Sequence, residues 1–147
     1  MEKDKSIEEL NKLIEINNDR IEGYETASKE SDETDLKNLF AQFITTSVKC
    51  KQELVNEVIK LGGTPIEGTR ITGKFFRVWM DVKAALTNKD RKAIMRSCAY
   101  GEEVAIETYE DVPEERENIF PDLYMLVKTQ LMLIKLDYSK IKSFLQI

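Results

Sequence analysis

Apolar residues recur at steps of three and four along four long segments of the chain, and this spacing constrains the fold more than any other feature. Such steps place side chains on one face of an α-helix, so each segment predicts a helix with one buried face. Residues that interrupt helices are few, with six Gly and three Pro among 147 residues. We therefore expect an all-α protein with a single domain over residues 1–147.

Local signals set the expected ends of the first two helices. Ser6, with Glu9 three residues later, forms a capping-box pattern, so we expect the first helix to begin at Ser6. Gly62 and Gly63 should end the second helix, because glycine readily takes the left-handed conformation of a helix C-terminus.

The second half of the chain is organised in the same way. An irregular stretch over residues 63–73 precedes a short amphipathic segment over residues 75–86, which predicts a short helix. The third long helix should end near Asp111. The last helix has two possible starts, Pro113 and Pro121, because proline is favoured in a first helical turn.

These segments predict two helical hairpins, over residues 6–62 and 88–145, joined by a crossover over residues 63–87. Helices joined by a short turn lie antiparallel. The expected fold is therefore an antiparallel four-helix bundle with one long crossover that contains a short helix. This is the plan of ferritin-like bundles.

Composition excludes several classes of partner. A net charge of -5, with basic residues interleaved among acidic ones, argues against binding to nucleic acid. The chain has no hydrophobic signal segment and no run of about 18 apolar residues, so we expect a cytoplasmic protein without membrane contact. Cys50 and Cys98 fall on apolar helical stripes, which favours buried, reduced thiols.

Four stretches of the chain form a combined signature: DRIEGYETA at residues 19–27, LVNEVIKLGGTP at 54–65, WMDVKAAL at 79–86 and GEEVAIETY at 101–109, with Gln130 downstream. Together they resemble a bacterial family, the domain of unknown function 2383. The resemblance spans about residues 6–145 and implies a ferritin-like bundle of bacterial origin, with little said about function. Residues 21–25 also match residues 106–110, as expected of two related hairpins.

The resemblance implies where metal ligands would lie. Ferritin-like metal proteins supply a Glu from the first helix of each hairpin and a Glu-x-x-His from the second. The corresponding positions and their two neighbouring tyrosines are Asn17, Tyr24, Ser47, Cys50, Glu102, Tyr109 and Gln130. Only Glu102 is a carboxylate, and the chain has no histidine. We therefore expect no bound metal and no cofactor, with Glu102 as a weak candidate for one loosely held ion.

We expect these positions to form a hydrogen-bonded polar layer instead, since buried polar groups are costly unless they are paired. Asp137 follows Gln130 by seven residues, about 10 Å along a helix. On that basis we expect Asp137 not to share a site with Glu102. Trp79, the only tryptophan, is expected to pack against the bundle.

Three functions stay open at this point. The first is a non-catalytic bundle protein that acts as a homodimer or with a protein partner, with a stress-related role suggested by fold analogy alone. Residues 75–79 are one candidate dimer patch. The second is a degenerate metal-binding protein with an iron or redox role. The third is a small-molecule binder with a pocket of roughly 300 Å³ beside Glu102 and Gln130. Arg70 offers an anion contact, but an ordinary loop is the simpler interpretation.

Overall fold

The computed structural model describes residues 2–69 and 74–145, with backbone alone for residues 74–76. Within these residues the chain is helical and contains no β-strand, which confirms the all-α class. The helices are α1 (Glu2–Glu30), α2 (Thr34–Lys60), α3 (Lys74–Thr87), α4 (Arg91–Glu110) and α5 (Pro121–Leu145). No helix in the described part of the chain is long and apolar enough to cross a bilayer.

The prediction that the first helix begins at Ser6 is wrong, because α1 already begins at Glu2. Ser6 lies one turn inside the helix and is fully buried. Its hydroxyl accepts a hydrogen bond of 3.1 Å from the backbone N–H of Phe120, just before α5. The serine therefore serves a partner distant in sequence rather than capping its own helix.

The other helix ends follow local chemistry. The predicted stop of α2 is confirmed, since Gly62 takes a φ of 81°, in the left-handed region that glycine favours. α4 ends at Glu110 with Asp111 as its cap. α5 begins at Pro121, which decides between the two starts left open by the sequence.

The long helices pack in pairs, and hydrogen bonds between them show their directions. Asn11, near the start of α1, donates to the carbonyl of Thr64 just beyond the end of α2, so α1 and α2 run antiparallel. α4 and α5 also run antiparallel, since Tyr109 meets Gln130 while Glu103, further back in α4, meets Tyr138. α1 also contacts α4, α2 contacts α5, and α3 packs against α4 and α1.

The apolar core forms two clusters at different levels along the helices. One lies where the early part of α1 meets the end of α2, and includes Leu10, Ile14 and Leu54. The other lies towards the α1–α2 turn, and includes Phe40 and Phe43. On α1 the two clusters are separated by buried polar residues, and this level holds the candidate site.

Candidate functional site

A network of buried polar side chains crosses the interior between the two apolar clusters. We call it the central network; its members are Asn17, Arg20, Tyr24, Glu102, Tyr109, Gln130 and Asp137. Each member is at most 3% exposed. Burial of this many polar groups requires that they satisfy one another, and the contacts below do so.

An arginine–glutamate pair forms one half of the central network. Arg20 on α1 donates from Nε to Glu102 Oε2 at 3.0 Å and from Nη2 to Oε1 at 2.8 Å. This bidentate arrangement is the strongest geometry for a guanidinium and a carboxylate. Tyr24 donates its hydroxyl to Glu102 Oε1 at 2.8 Å. Both oxygens of Glu102 are therefore committed to partners from α1.

The charge states in this half follow from burial and proximity. Burial alone would lower the pKa of Arg20, but attraction and hydrogen bonding by Glu102 outweigh it, so the Arg20 pKa is raised. Burial and then the charge of Glu102 raise the pKa of the Tyr24 hydroxyl well above its ordinary value. Arg20 is thus a fixed cation, and Tyr24 is a neutral donor.

Asp137 on α5 is a second carboxylate beside the same guanidinium. Its Oδ2 lies 3.4 Å from Arg20 Nη2. Burial raises the pKa of Asp137 to about 6, against the lowering effect of Arg20 and with a further raising effect from Glu102. The expectation that Asp137 and Glu102 could not share a site is wrong. Separation along α5 does not fix the distance across the interior, and the long Arg20 side chain contacts both carboxylates.

The other half of the central network is a relay of neutral groups. Asn17 donates its amide to the Tyr109 hydroxyl at 2.8 Å, and Tyr109 donates to Gln130 Oε1 at 2.7 Å. Gln130 donates in turn to the backbone carbonyl of Cys50 at 3.1 Å and to the Glu53 carboxylate at 3.0 Å. The relay therefore joins α1, α4, α5 and α2.

One contact joins the two halves. Arg20 Nη1 donates to Asn17 Oδ1 at 3.1 Å, so the guanidinium touches the neutral relay as well as both carboxylates. Arg20 is the centre of the network, and it was not among the predicted site residues. The available signal was its position three residues after Asn17 and four before Tyr24, on the same helical face.

Two more of the predicted positions, Ser47 and Cys50, lie at this level, and the Cys50 thiol borders Tyr109. Ser47 is fully buried and donates to the carbonyl of Phe43 on its own helix at 2.7 Å. Cys50 is buried as a free thiol, and burial raises its pKa to about 11. Cys98 is also a buried free thiol with a raised pKa, again because of burial. Neither thiol is poised to act as a nucleophile.

The carboxylates of Glu102 and Asp137 already have a positively charged partner, the Arg20 guanidinium of the same chain. Among residues 2–69 and 74–145, no group of three or more His, Cys, Asp and Glu side chains is arranged to hold a metal ion. A divalent ion at Glu102 would have to displace the Arg20 guanidinium and the Tyr24 hydroxyl. Only Asp137 would then remain as a second charged ligand, fewer than a hard cation needs.

Trp79 on α3 closes one side of this region. Its indole meets the Tyr24 ring edge-on, with centroids 5.0 Å apart. It also lies so close to α1 that a Cβ at Gly23 would be 2.0 Å from the indole Cε2. Glycine at this position is therefore what lets α3 approach α1. Arg70, the candidate anion contact, lies outside the described residues. Phe75 and Phe76, in the candidate dimer patch, lie outside the described side chains.

Two surface grooves lie away from the central network. One, of about 190 Å³, lies between α1 and α3 and includes Gly23 and Trp79 in its walls. The other lies along α4 and α5 and includes Glu107 and Lys135. Glu102 and Gln130 line neither groove. The small-molecule pocket that the sequence placed beside those two residues is not at either location.

The chain matches a known protein family. Residues 5–115 match the family described as Domain of unknown function (DUF2383). That match covers more than half of the 147 residues, and the chain belongs to this family. The matched segment contains Arg20 and Glu102, whereas Gln130 and Asp137 lie beyond it. No curated protein and no solved structure gave a significant match.

Proposed function

We propose that this protein is a single-domain, ferritin-like four-helix bundle of the bacterial cytoplasm that is not a catalyst. Its interior is held together by the Arg20 guanidinium rather than by metal ions. It acts through its outer surface, by association with a second copy or with another protein.

The helix arrangement supports the ferritin-like part of the proposal. α1 and α2 form one antiparallel pair, α4 and α5 form another, and α3 lies in the connection between the pairs. α1 faces α4 and α2 faces α5, so the first helix of each pair meets the first helix of the other. A bundle with one long crossover has this connectivity.

The observation that carries the proposal is the fully buried, bidentate contact between Arg20 and Glu102. General acid–base catalysis needs a carboxyl group within reach of substrate. Glu102 instead has no exposed surface, and its oxygens accept three hydrogen bonds from Arg20 and Tyr24. The fixed positive charge also occupies the space in which a metal cation would have to sit.

Elemental analysis of the purified protein, combined with an Fe(II) oxidation assay, tests this proposal. We expect far less than one metal ion per chain and iron oxidation at the rate of buffer alone. Glu102→Ala and the exposed neighbour Glu103→Ala should leave both readings unchanged. Stoichiometric iron that is lost in Glu102→Ala but kept in Glu103→Ala would overturn the proposal in favour of a metal-dependent role.

A further inference from the structure

The outer face of α5 carries a row of large apolar side chains that face solvent. Met125, Met132 and Leu136 are 65%, 67% and 59% exposed. Their spacing of seven and four residues keeps them on one stripe of the helix. The buried face of α5 lies on the other side; it comprises Leu123, Val127, Gln130, Leu131, Ile134, Asp137 and Ile141. Single exposed apolar residues are ordinary, but an aligned row of three is typical of an interaction surface.

We propose that this stripe, Met125 with Met132 and Leu136, is the interface between two copies of the chain. The proposal rests on the proposed function, because it names the partner of a surface-acting bundle as a second copy. In an interface with twofold symmetry, each surface patch meets the same patch of the partner. Antiparallel α5 helices would then place Met125 of each copy opposite Leu136 of the other, with Met132 near the axis.

Charged side chains border the stripe on the side of α5 that faces α4. On the side towards α4, α5 presents Lys128 and Lys135, while α4 presents exposed Glu107 and Glu110. Lys135 and Glu110 already lie 3.5 Å apart within one chain. In the antiparallel register Lys128 of one copy lies near Lys135 of the other, so this flank requires the α4 glutamates to offset the repulsion between the lysines.

The opposite flank of the stripe supports a second copy as the occupant. Asp122 and Lys140 are exposed near the two ends of α5, on the same side of the stripe. Antiparallel pairing that sets Met125 against Leu136 also brings Asp122 of one copy close to Lys140 of the other. Opposite charges therefore meet at both ends of the proposed interface.

The size of the surface indicates what else the interface includes. α5 has 25 residues, which is about 37 Å of helix, and a helix face about 10 Å wide gives roughly 370 Å². A stable interface buries about 800 Å² on each partner. The charged flank of α4 must therefore be covered together with the stripe.

Sedimentation velocity of the full chain tests the interface. We expect the wild type to be a dimer at roughly 10–100 μM, and Met132→Glu to raise the dimer dissociation constant at least about tenfold. Met80→Glu is the matched control, because Met80 is 54% exposed but lies on α3. A monomeric wild type, or equal dissociation constants for the two variants, overturns the proposal.

Disulfide cross-linking tests the antiparallel geometry. The native thiols are buried, so a cysteine placed on the stripe is the reactive one. Met132→Cys should cross-link to itself under mild oxidation. Positions 125 and 136 are about 16 Å apart along the helix, beyond the Cα separation of about 7 Å that a disulfide tolerates. Met125→Cys and Leu136→Cys should therefore cross-link when mixed but not alone.

Self-linking of Met125→Cys with no mixed product would overturn the antiparallel arrangement. These outcomes are separate from those that test the proposed function. A monomer that contains no metal contradicts the interface alone, whereas a dimer with stoichiometric iron contradicts the metal-free interior alone.

Discussion

Replacement of Arg20 by methionine is the sharpest test of the interior. Methionine keeps much of the side-chain length but removes the hydrogen bonds of 3.0 Å and 2.8 Å to Glu102, the contact with Asn17 and the neighbouring charge for Asp137. Glu102 would be left as a buried carboxylate without its cation. Removal of one partner from a buried ion pair costs about 3–5 kcal/mol.

That loss is large against the total stability of a domain, which is about 5–15 kcal/mol. With a urea dependence of about 2 kcal/mol per molar, a loss of about 4 kcal/mol lowers the unfolding midpoint by about 2 M. Urea unfolding followed by circular dichroism measures this shift. Lys12→Met on the same helix is the control, because Lys12 pairs with Glu9 at the exposed surface and should cost less than about 1 kcal/mol.

A double variant separates the loss of the pair from the presence of an unpaired charge. Arg20→Met with Glu102→Met removes both charges, and a buried pair replaced by apolar groups is often nearly neutral. We expect recovery of at least about half of the lost stability, short of the whole because the Tyr24 hydroxyl loses its acceptor. A single variant that costs under about 1 kcal/mol, or a double variant no more stable than it, would refute the reasoning.

Three further predictions concern Asp137, Gly23 and the thiols. The pKa of Asp137 is raised to about 6, above the value of about 4 in an unfolded chain, so the folded state binds more protons in this window and its stability falls as pH rises through it. The melting temperature of Asp137→Asn relative to that of the wild type should therefore rise between about pH 4.5 and about pH 7.5. A difference in melting temperature that stays constant over this range would contradict the prediction. Gly23→Ala forces a Cβ within 2.0 Å of the Trp79 ring and should cost about 1–3 kcal/mol and shift the fluorescence of this single tryptophan. Gly68→Ala, with open space around it, should do neither. Cys50 and Cys98 should react with a thiol reagent only after unfolding, whereas an added Met132→Cys reacts in the folded protein; fast labelling of the native chain would count against their burial.

Periodicity predicted the helices well because it depends on a local property, the side of a helix that is buried. The stop at Gly62 and the short helix α3 follow from nearby residues alone. The start of α1 does not. Ser6 carries a local capping pattern, yet its hydroxyl bonds to Phe120, 114 residues away, and nothing near Ser6 reveals that partner.

The central network was predicted in part, for a similar reason. Asn17, Tyr109 and Gln130 lie at inward positions of their own helices, and the resemblance to ferritin-like proteins implied them as ligand positions or a neighbouring tyrosine. Arg20 was passed over because a charged residue on a helix is usually solvated, and its burial depends on two carboxylates from other helices. Distances between side chains on different helices depend on packing, which is also why Asp137 was placed wrongly.

A cation that is covalently part of the chain has consequences for how this interior is assembled. The guanidinium of Arg20 is present as soon as the polypeptide is made, so the centre needs no loading step and no delivery protein. It cannot be removed by a chelator, exchanged for a competing ion or changed in oxidation state. On the proposed function, the folded state should persist unchanged whether iron in the cell is scarce or abundant.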